Sequence, residues 1–240
     1  MKTVIIIPAR LGSTRLARKP LADINGTPMI VRCLQCVEAA NVAPIYVATD
    51  SEEIKAVVEA HGGKVVMTDP ALPSGTDRAY AAVQAIGENF DVVINVQGDQ
   101  PILYKENIAG LLPALEGADI STPVALMPDA RDFEKSSVVK AVVAQDGRAL
   151  WFTRGQTPFS WDENPDKSYY QHIGIYAYKY ESLKRFVSLP PSPLELRERL
   201  EQLRALENGM TIKVAVVSAD QIPHAVDTAD DLERARKLLG

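Results

Sequence analysis

The sequence predicts an α/β fold, with an open, mainly parallel sheet in its first half and a mixed second half. Three observations carry this. Apolar runs of strand length recur through the first hundred residues without polar alternation, as strands covered on both faces require. Segments with helical periodicity and capping residues separate those runs. Beyond about residue 125 the alternation gives way to a hairpin signal.

Taken in order, Thr3-Val4-Ile5-Ile6-Ile7 is an unbroken β-branched run and reads as the first buried strand. A loop follows, then a helix over 28–40, with Pro28 suited to the first turn. Residues 45–48 form the second strand and 51–60 a helix, with Asp50-Ser51-Glu52-Glu53 as capping chemistry and His61-Gly62-Gly63 as its stop. A third strand over 64–67, a helix over 77–86 and a fourth strand over 91–96 complete the alternation. Strands spaced by helices in this way make a parallel sheet with helices on both faces.

Strands over 119–125 and 138–144 come next, and Gln145-Asp146-Gly147-Arg148 turns the chain into a strand over 149–153. A polar, proline-bearing loop spans 160–168 and one strand spans 172–178. One long helix over 194–208 is closed by Gly209, followed by a strand over 211–217 and a helix over 229–239 that starts on Asp227-Thr228. The expectation is a single domain over 1–240, with a nucleotide-binding half over about 1–125 and a half over 126–240 for a second substrate and a dimer surface.

Composition narrows the function. With 46% hydrophobic and 24% charged residues the chain is an ordinary globular protein, and its net charge of −5 argues against nucleic acid as main partner. Any anion site must therefore be a local concentration of cations. Val4-Ile5-Ile6-Ile7 is too short to span a bilayer and no cleaved leader is evident, so the expected location is the cytoplasm. Cys33 and Cys36 have C-x-x-C spacing, but both fall inside the helix over 28–40 among Ile30, Val31, Leu34 and Val37. That context reads as packing rather than a redox or zinc site.

Ligands of open parallel sheets bind beyond the carboxyl ends of the strands. The loop after the first strand carries Arg10, Arg15, Arg18 and Lys19 beside the small residues Gly12, Ser13 and Thr14. Small residues let backbone amides approach an anion, and arginines grip phosphate oxygens through two hydrogen bonds. A triphosphate losing pyrophosphate needs such an array; otherwise the loop is a solvated basic stretch. It is not a Walker loop, because no G-K-[ST] follows Gly12. Asp99, in Gln97-Gly98-Asp99-Gln100-Pro101, follows the fourth strand and is placed to hold Mg²⁺, or else is a turn aspartate that caps the helix that follows. Asp227 sits between an apolar segment and a helix, where a plain N-cap is the competing reading. Ser74-Gly75-Thr76-Asp77-Arg78 makes a capping box whose Arg78 is able to reach a nucleobase carbonyl.

In order, these elements resemble the 3-deoxy-manno-octulosonate (Kdo) cytidylyltransferases over essentially the whole chain. The resemblance rests on Ile7-Pro8-Ala9-Arg10, Ser13-Thr14-Arg15-Leu16, Lys19-Pro20-Leu21, Ser74 to Arg78, Asn95 to Asp99, His172 to Tyr176, Leu200 to Arg204 and Val226-Asp227-Thr228. It implies a nucleotide-diphospho-sugar-transferase-like (Rossmann-like) α/β fold, a homodimer, Mg²⁺ as cofactor, and transfer of CMP from CTP to Kdo for lipopolysaccharide or capsule synthesis. Carried over by position, Arg10, Arg15, Lys19 and Asp99 would be catalytic, and Arg10, Gly12, Ser13, Arg15, Lys19, Ser74 and Arg78 would bind the nucleotide. Asp99 and Asp227 would hold the metal, and Gln97, Arg154, His172, Tyr176, Glu201 and Gln202 would line the sugar-acid pocket. From the residues alone, His172 and Tyr176 share a face of one strand, and Glu201 with Gln202 read as a solvated helix face.

Some positions depart from the family pattern. Ala17 and Arg18 stand where proline and glycine are common, Gln100 where glutamate is, and Gly155-Gln156-Thr157 follows Arg154 in place of the usual segment. The last two fall near the metal or the sugar, so the alternative is a modified acceptor such as an amino-substituted Kdo. A catalytically silent nucleotide-binding protein is the rival of another class; it predicts loss of Arg10, Arg15, Lys19, Asp99 or Asp227, and all are present.

Overall fold

The computed structural model describes residues 1–12, 16–127, 130–158, 161 and 169–240. These divide into two compact units, residues 1–109 with 223–240, and residues 110–222.

In the first unit the chain runs β1 (Thr3–Ala9), a short hairpin of β2 (Asp23–Ile24) and β3 (Thr27–Pro28), α1 (Met29–Ala40), β4 (Ile45–Thr49), α2 (Glu52–Ala60), β5 (Val65–Met67), α3 (Gly75–Ile86), β6 (Val92–Asn95) and α4 (Glu106–Ala109). The sheet order is β5-β4-β1-β6 and every pairing is parallel, with Ile7 opposite Val47 and Ile5 opposite Ile94. Every residue of β1 is buried, which is why its sequence is an unbroken apolar run. Helix starts follow their caps: Ser51 Oγ accepts from the Ile54 N–H at 3.3 Å and Ser74 Oγ from the Asp77 N–H at 3.2 Å.

The second unit runs α5 (Leu111–Ala114), β7 (Ile120–Leu126), β8 (Lys140–Val143), β9 (Ala149–Thr153), β10 (Tyr170–His172), β11 (Tyr176–Lys179), α6 (Tyr180–Ser188), α7 (Pro193–Glu198), α8 (Gln202–Glu207) and β12 (Ile212–Val217). β12 lies parallel along one edge of β7, while β10 and β11 pair antiparallel along the other. β8 joins β10, and β8 with β9 form the expected hairpin, turning through Gly147 at φ 81°.

Two expectations here are corrected. The strand over 172–178 is two strands, because the chain tightens at 173–175: the Ile175 N–H donates back to the Ile173 carbonyl at 2.7 Å. The helix over 194–208 is likewise two helices, broken at Arg199 with φ 54°. A buried ion pair explains the break. Arg204 Nη2 and Nε donate to the two Glu195 carboxylate oxygens at 2.6 and 2.8 Å. In a straight helix nine residues of separation would place those side chains about 13.5 Å apart along the axis, on opposite faces. Only a chain that folds back lets them meet. α6 was not anticipated: its buried apolar contacts are confined to Leu183 and Phe186 within a polar stretch.

α9 (Ala229–Leu238) belongs to the first unit. Val226, Leu232 and Ala235 pack in one cluster with Ile24, Met29 and Cys33, and Arg236 Nη2 donates to the Asp23 carbonyl at 2.8 Å. Cys33 and Cys36 are both free thiols; Cys33 is buried in this cluster, and the Cys36 thiol donates to the Pro101 carbonyl at 3.3 Å. Among the described residues no helix is long and apolar enough to cross a membrane.

Candidate active site

A cleft of about 370 Å³ opens in the first unit where β1 and β6 end and α3 begins. Arg10, Gly12, Lys19, Ser74, Arg78, Gln97, Asp99 and Asp227 line it. Its floor depends on Gly98: a Cβ there would sit 2.8 Å from the Pro8 carbonyl oxygen, so only glycine lets the segment after β6 run this close to the end of β1. That passage delivers Asp99 to the cleft.

Lys19, in a single 3₁₀ turn (Lys19–Leu21), brings the two predicted metal carboxylates together. Its Nζ donates to Asp99 Oδ2 at 2.9 Å and to Asp227 Oδ1 at 3.0 Å. The backbone makes the same junction, with the Val226 N–H donating to the Asp99 carbonyl at 2.9 Å. Burial pulls the ammonium's pKa down, but the two carboxylates outweigh it and hold Lys19 above its ordinary value. The capping alternatives do not describe this geometry. No helix follows Asp99 until Glu106, and the cap of α9 is Thr228, whose Oγ1 accepts from the Asp231 N–H at 3.2 Å.

Whether the pair fits Mg²⁺ is answered by its chemistry. Among the described residues no cluster of three or more metal-binding side chains forms. Two carboxylates converging on one cation position nonetheless suit an ion that takes one or two protein carboxylates and fills its octahedron with water and phosphate oxygens.

Arg78 lines the cleft but is only 2% exposed. Its guanidinium donates to Thr68 Oγ1 at 2.5 Å and to Asp50 Oδ2 at 3.4 Å. Asp50 and Thr68, each just beyond a strand, were missed as its supports; the Asp50 carboxylate had been assigned to capping. Arg10 is exposed at the rim and Gly12 has open space where a side chain would stand. Ser13 and Arg15 lie outside the described residues. Arg18 pairs instead with Glu53.

Of the six residues expected at the sugar, Gln97 lies in this cleft and the other five belong to the second unit. Arg154 is held on every side. Its Nε donates to the Glu198 carbonyl at 2.9 Å, Nη1 to Ser136 at 3.0 Å and Nη2 to Arg199 at 3.4 Å. Its own N–H donates to Glu198 Oε2 at 2.9 Å, and its carbonyl accepts from Lys140 Nζ at 2.8 Å. Lys140 is 1% exposed and also donates to the carbonyls of Lys135 and Val138 at 3.0 and 2.9 Å. Burial lowers its pKa, partly opposed by Glu198. Lys140 and Glu198 were both missed; a lone lysine inside the apolar run of β8 was the available signal.

His172 and Tyr176 lie on different strands, yet their ring centroids are 5.5 Å apart, and Phe152 meets His172 edge-on at 4.9 Å. Burial pushes the His172 imidazole down to about 3, so it is neutral at physiological pH. Thr122 Oγ1 has one proton, and the carbonyl of Ile175 at 2.8 Å takes it. His172 Nε2, 2.9 Å from the same oxygen, is therefore assigned as the N–H donor. Burial, with Glu201 adding to it, pushes the Tyr176 phenol far above its ordinary value. The solvated-face reading of residues 201–202 fails for Gln202, which is 5% exposed with its Nε2 unpartnered among the described residues. The break at Arg199 rotates it inward.

Parallel strands that end on a cation-lined cleft with paired carboxylates define an α/β nucleotidyltransferase. The comparisons make this specific. The cytidylyltransferase family model matches residues 4–212. A 3-deoxy-manno-octulosonate cytidylyltransferase of Bradyrhizobium sp. (strain BTAi1) is 50% identical, covering 99% of this chain and 97% of its own. One of Rhodopseudomonas palustris (strain BisB18) is 48% identical, covering 99% and 98%. The solved structure of a CMP:2-keto-3-deoxy-manno-octonic acid synthetase complexed with CTP superposes with a TM-score of 0.89 at 37% identity, covering 100% of this chain and 98% of that one. A 4-diphosphocytidyl-2C-methyl-D-erythritol synthase from Anaerococcus prevotii, at TM-score 0.66 and 14% identity, shares the fold. The chain belongs to the 3-deoxy-manno-octulosonate cytidylyltransferase family.

Proposed function

We propose that this protein transfers CMP from CTP to the anomeric hydroxyl of Kdo, forming CMP-Kdo and pyrophosphate. The observation that carries the reading is the convergence of Lys19, Asp99 and Asp227 in a cleft also lined by Arg10, Gly12, Ser74 and Arg78. The hydroxyl oxygen forms a bond to the α-phosphorus as the bond from that phosphorus to the pyrophosphate oxygen breaks, the electron pair leaves with pyrophosphate, and the hydroxyl proton is released to solvent water. Arg10 and Lys19, with Arg15, bind the phosphates and stabilise the charge that grows on the leaving pyrophosphate. Ser74 and Arg78 face the cytosine, and Arg154, His172, Tyr176, Glu201 and Gln202, with Gln97, hold the sugar acid. Asp99 and Asp227 would hold Mg²⁺, which when bound supplies charge neutralisation at the triphosphate.

The alternative acceptor, an amino-substituted Kdo, is not favoured, since the relatives that match along their whole lengths are named for the unmodified sugar. A homodimer in the cytoplasm, where CTP is made, is part of the proposal. Supporting the dimer, Val216 and Leu126 are 58% and 44% exposed on one face of the second unit's sheet: Val216 pairs with Val124, two residues before Leu126. Pyrophosphate release measured with four nucleoside triphosphates and a panel of sugar acids tests the reading. CTP with Kdo should give the highest kcat/KM; comparable turnover of another pair would overturn it.

A further inference from the structure

The geometry points to Lys19 as the occupant of the cation position between Asp99 and Asp227, so that metal enters only as the nucleotide draws the lysine away. The inference rests on the proposed metal role of that pair and concerns what the chain does before the metal arrives. Lys19 Nζ lies 2.9 and 3.0 Å from one oxygen of each carboxylate. An ion coordinated by both at magnesium's ligand distances of ~2.1 Å would need the space this ammonium fills.

Two features keep the lysine there. Its side chain is only 14% exposed, against 30% and 39% for those of Asp99 and Asp227, so the ammonium has little water to turn to in place of the carboxylates. Asp99 and Asp227 are themselves pinned together by the Val226–Asp99 backbone hydrogen bond, and two like charges so placed favour a shared counter-ion. The resident lysine supplies one without metal. Free divalent ion must therefore compete with a tethered cation, whose effective concentration is high.

A triphosphate changes the balance, because its oxygens offer Lys19 a new anionic partner in the same cleft, which Arg10 and Ser74 also line. When the ammonium moves to phosphate, it vacates the position between the two carboxylates, and the metal carried by the nucleotide takes that position. Lys19 thus couples metal uptake to nucleotide binding and keeps free metal out of a site that has nothing to transfer.

The test is Mn²⁺ binding to the full chain, read by the EPR signal of unbound ion and by the melting temperature, with and without CTP but without sugar acid. The wild type should bind Mn²⁺ alone at least about tenfold more weakly than K19M does, as expected for removing a unit charge in contact with the ion. K19M alone should gain melting temperature from Mn²⁺, and wild type only with CTP. R10M removes an equal charge from the rim without vacating the position and should change Mn²⁺ affinity less than about threefold. Equal Mn²⁺ affinity of K19M and wild type overturns the inference, as does an equal gain in R10M. If K19M is poorly folded, wild type alone decides: Mn²⁺ binding that is as tight without CTP as with it also overturns the inference. D99N in the K19M background separates the two readings. Tight binding that survives D99N places the ion elsewhere and sinks the metal assignment itself, whereas binding lost in D99N but unchanged by K19M sinks only the role of the lysine.

Discussion

The Val226 N–H donates to the Asp99 carbonyl oxygen at 2.9 Å, a contact between the two separate chain segments that make up the first unit. It follows from packing: Val226 is fully buried in the cluster that seats α9 against α1 and the β2–β3 hairpin. Asp227 is therefore delivered to Asp99 by backbone rather than by a flexible side chain. Asp99→Asn and Asp227→Asn should each lower kcat by at least about hundredfold, in line with losing a charge aimed at the reacting phosphates. Melting temperatures should stay within a few degrees, since each variant keeps a hydrogen-bonding oxygen for Lys19. Asp227→Glu should not rescue, because its extra methylene moves the carboxylate off a position the backbone has set. A fully active Asp227→Glu would show that Asp227 only balances charge.

Arg78 is held by Thr68 and Asp50 below the cleft, and its removal has two separable effects. Arg78→Ala leaves the largely buried Asp50 carboxylate without this partner and should lower the melting temperature. If Arg78 also reads the base, the CTP:UTP ratio of kcat/KM should fall by about tenfold, within the ~1–3 kcal/mol of a lost buried hydrogen bond. A lower melting temperature with an unchanged ratio would make Arg78 purely structural.

His172 sets a pH dependence of stability. Its imidazole is held near about 3 in the folded protein against an ordinary 6.5, with burial as the cause. Between those values the unfolded chain binds a proton that the folded protein refuses. Stability is thus lost progressively as pH falls from about 6.5 towards 3, by up to a few kcal/mol, and no cost arises above 6.5. His172→Gln should flatten the melting-temperature curve below pH 6.5. The pH profile of kcat/KM between 5 and 8 should show no limb that this variant removes. An unchanged acid slope in His172→Gln would assign the effect to other groups.

The first unit was legible because its elements are local and its burial uniform. β1, β4, β5 and β6 are runs covered on both faces, and each lies within two residues of its expected place. Asp99 was legible for the same reason, as a carboxylate after such a run. The second unit resisted because distant partners decide its elements. Glu195 and Arg204 are nine positions apart with unbroken helical propensity between them, and only their buried pairing bends the chain. Thr122 receives the His172 N–H and donates to the Ile175 carbonyl, which holds the break between β10 and β11, and no local pattern announces it. The burial of Gln202 and Lys140 was hidden likewise, since polar residues read as exposed until their surroundings are known.

Arg154 carries the most exacting prediction, because the structure gives it a scaffold role beside the proposed one at the sugar. Three of its five guanidinium N–H groups are directed at the carbonyls of Glu198, Ser136 and Arg199. The bonds to Glu198 and Arg199 close the end of α7, where the carbonyls lack helical partners, and the three together fix the plane of the fork. Among the described residues two N–H groups are left for a ligand, and a fork held in this way loses little further freedom when it meets a carboxylate. Arg154→Ala should therefore do two things at once. It should cut kcat/KM for Kdo by at least about tenfold, equivalent to ~1.4 kcal/mol, with the KM for CTP nearly unchanged. It should also lower the melting temperature, since the end of α7 loses its donors. Arg154→Lys keeps the charge but not the fork and should recover activity only in part. Glu198→Gln separates the roles: it weakens the charge-assisted bonds to the Thr153 hydroxyl and the Arg154 N–H, both within 2.9 Å, while leaving the guanidinium in place. That variant should lose stability with less than a threefold effect on kcat/KM for Kdo, a change under about 0.7 kcal/mol. Should Arg154→Ala weaken CTP and Kdo equally, or Glu198→Gln reproduce its whole kinetic defect, Arg154 acts on catalysis only by holding α7 in place, and the sugar carboxylate must be bound by other groups.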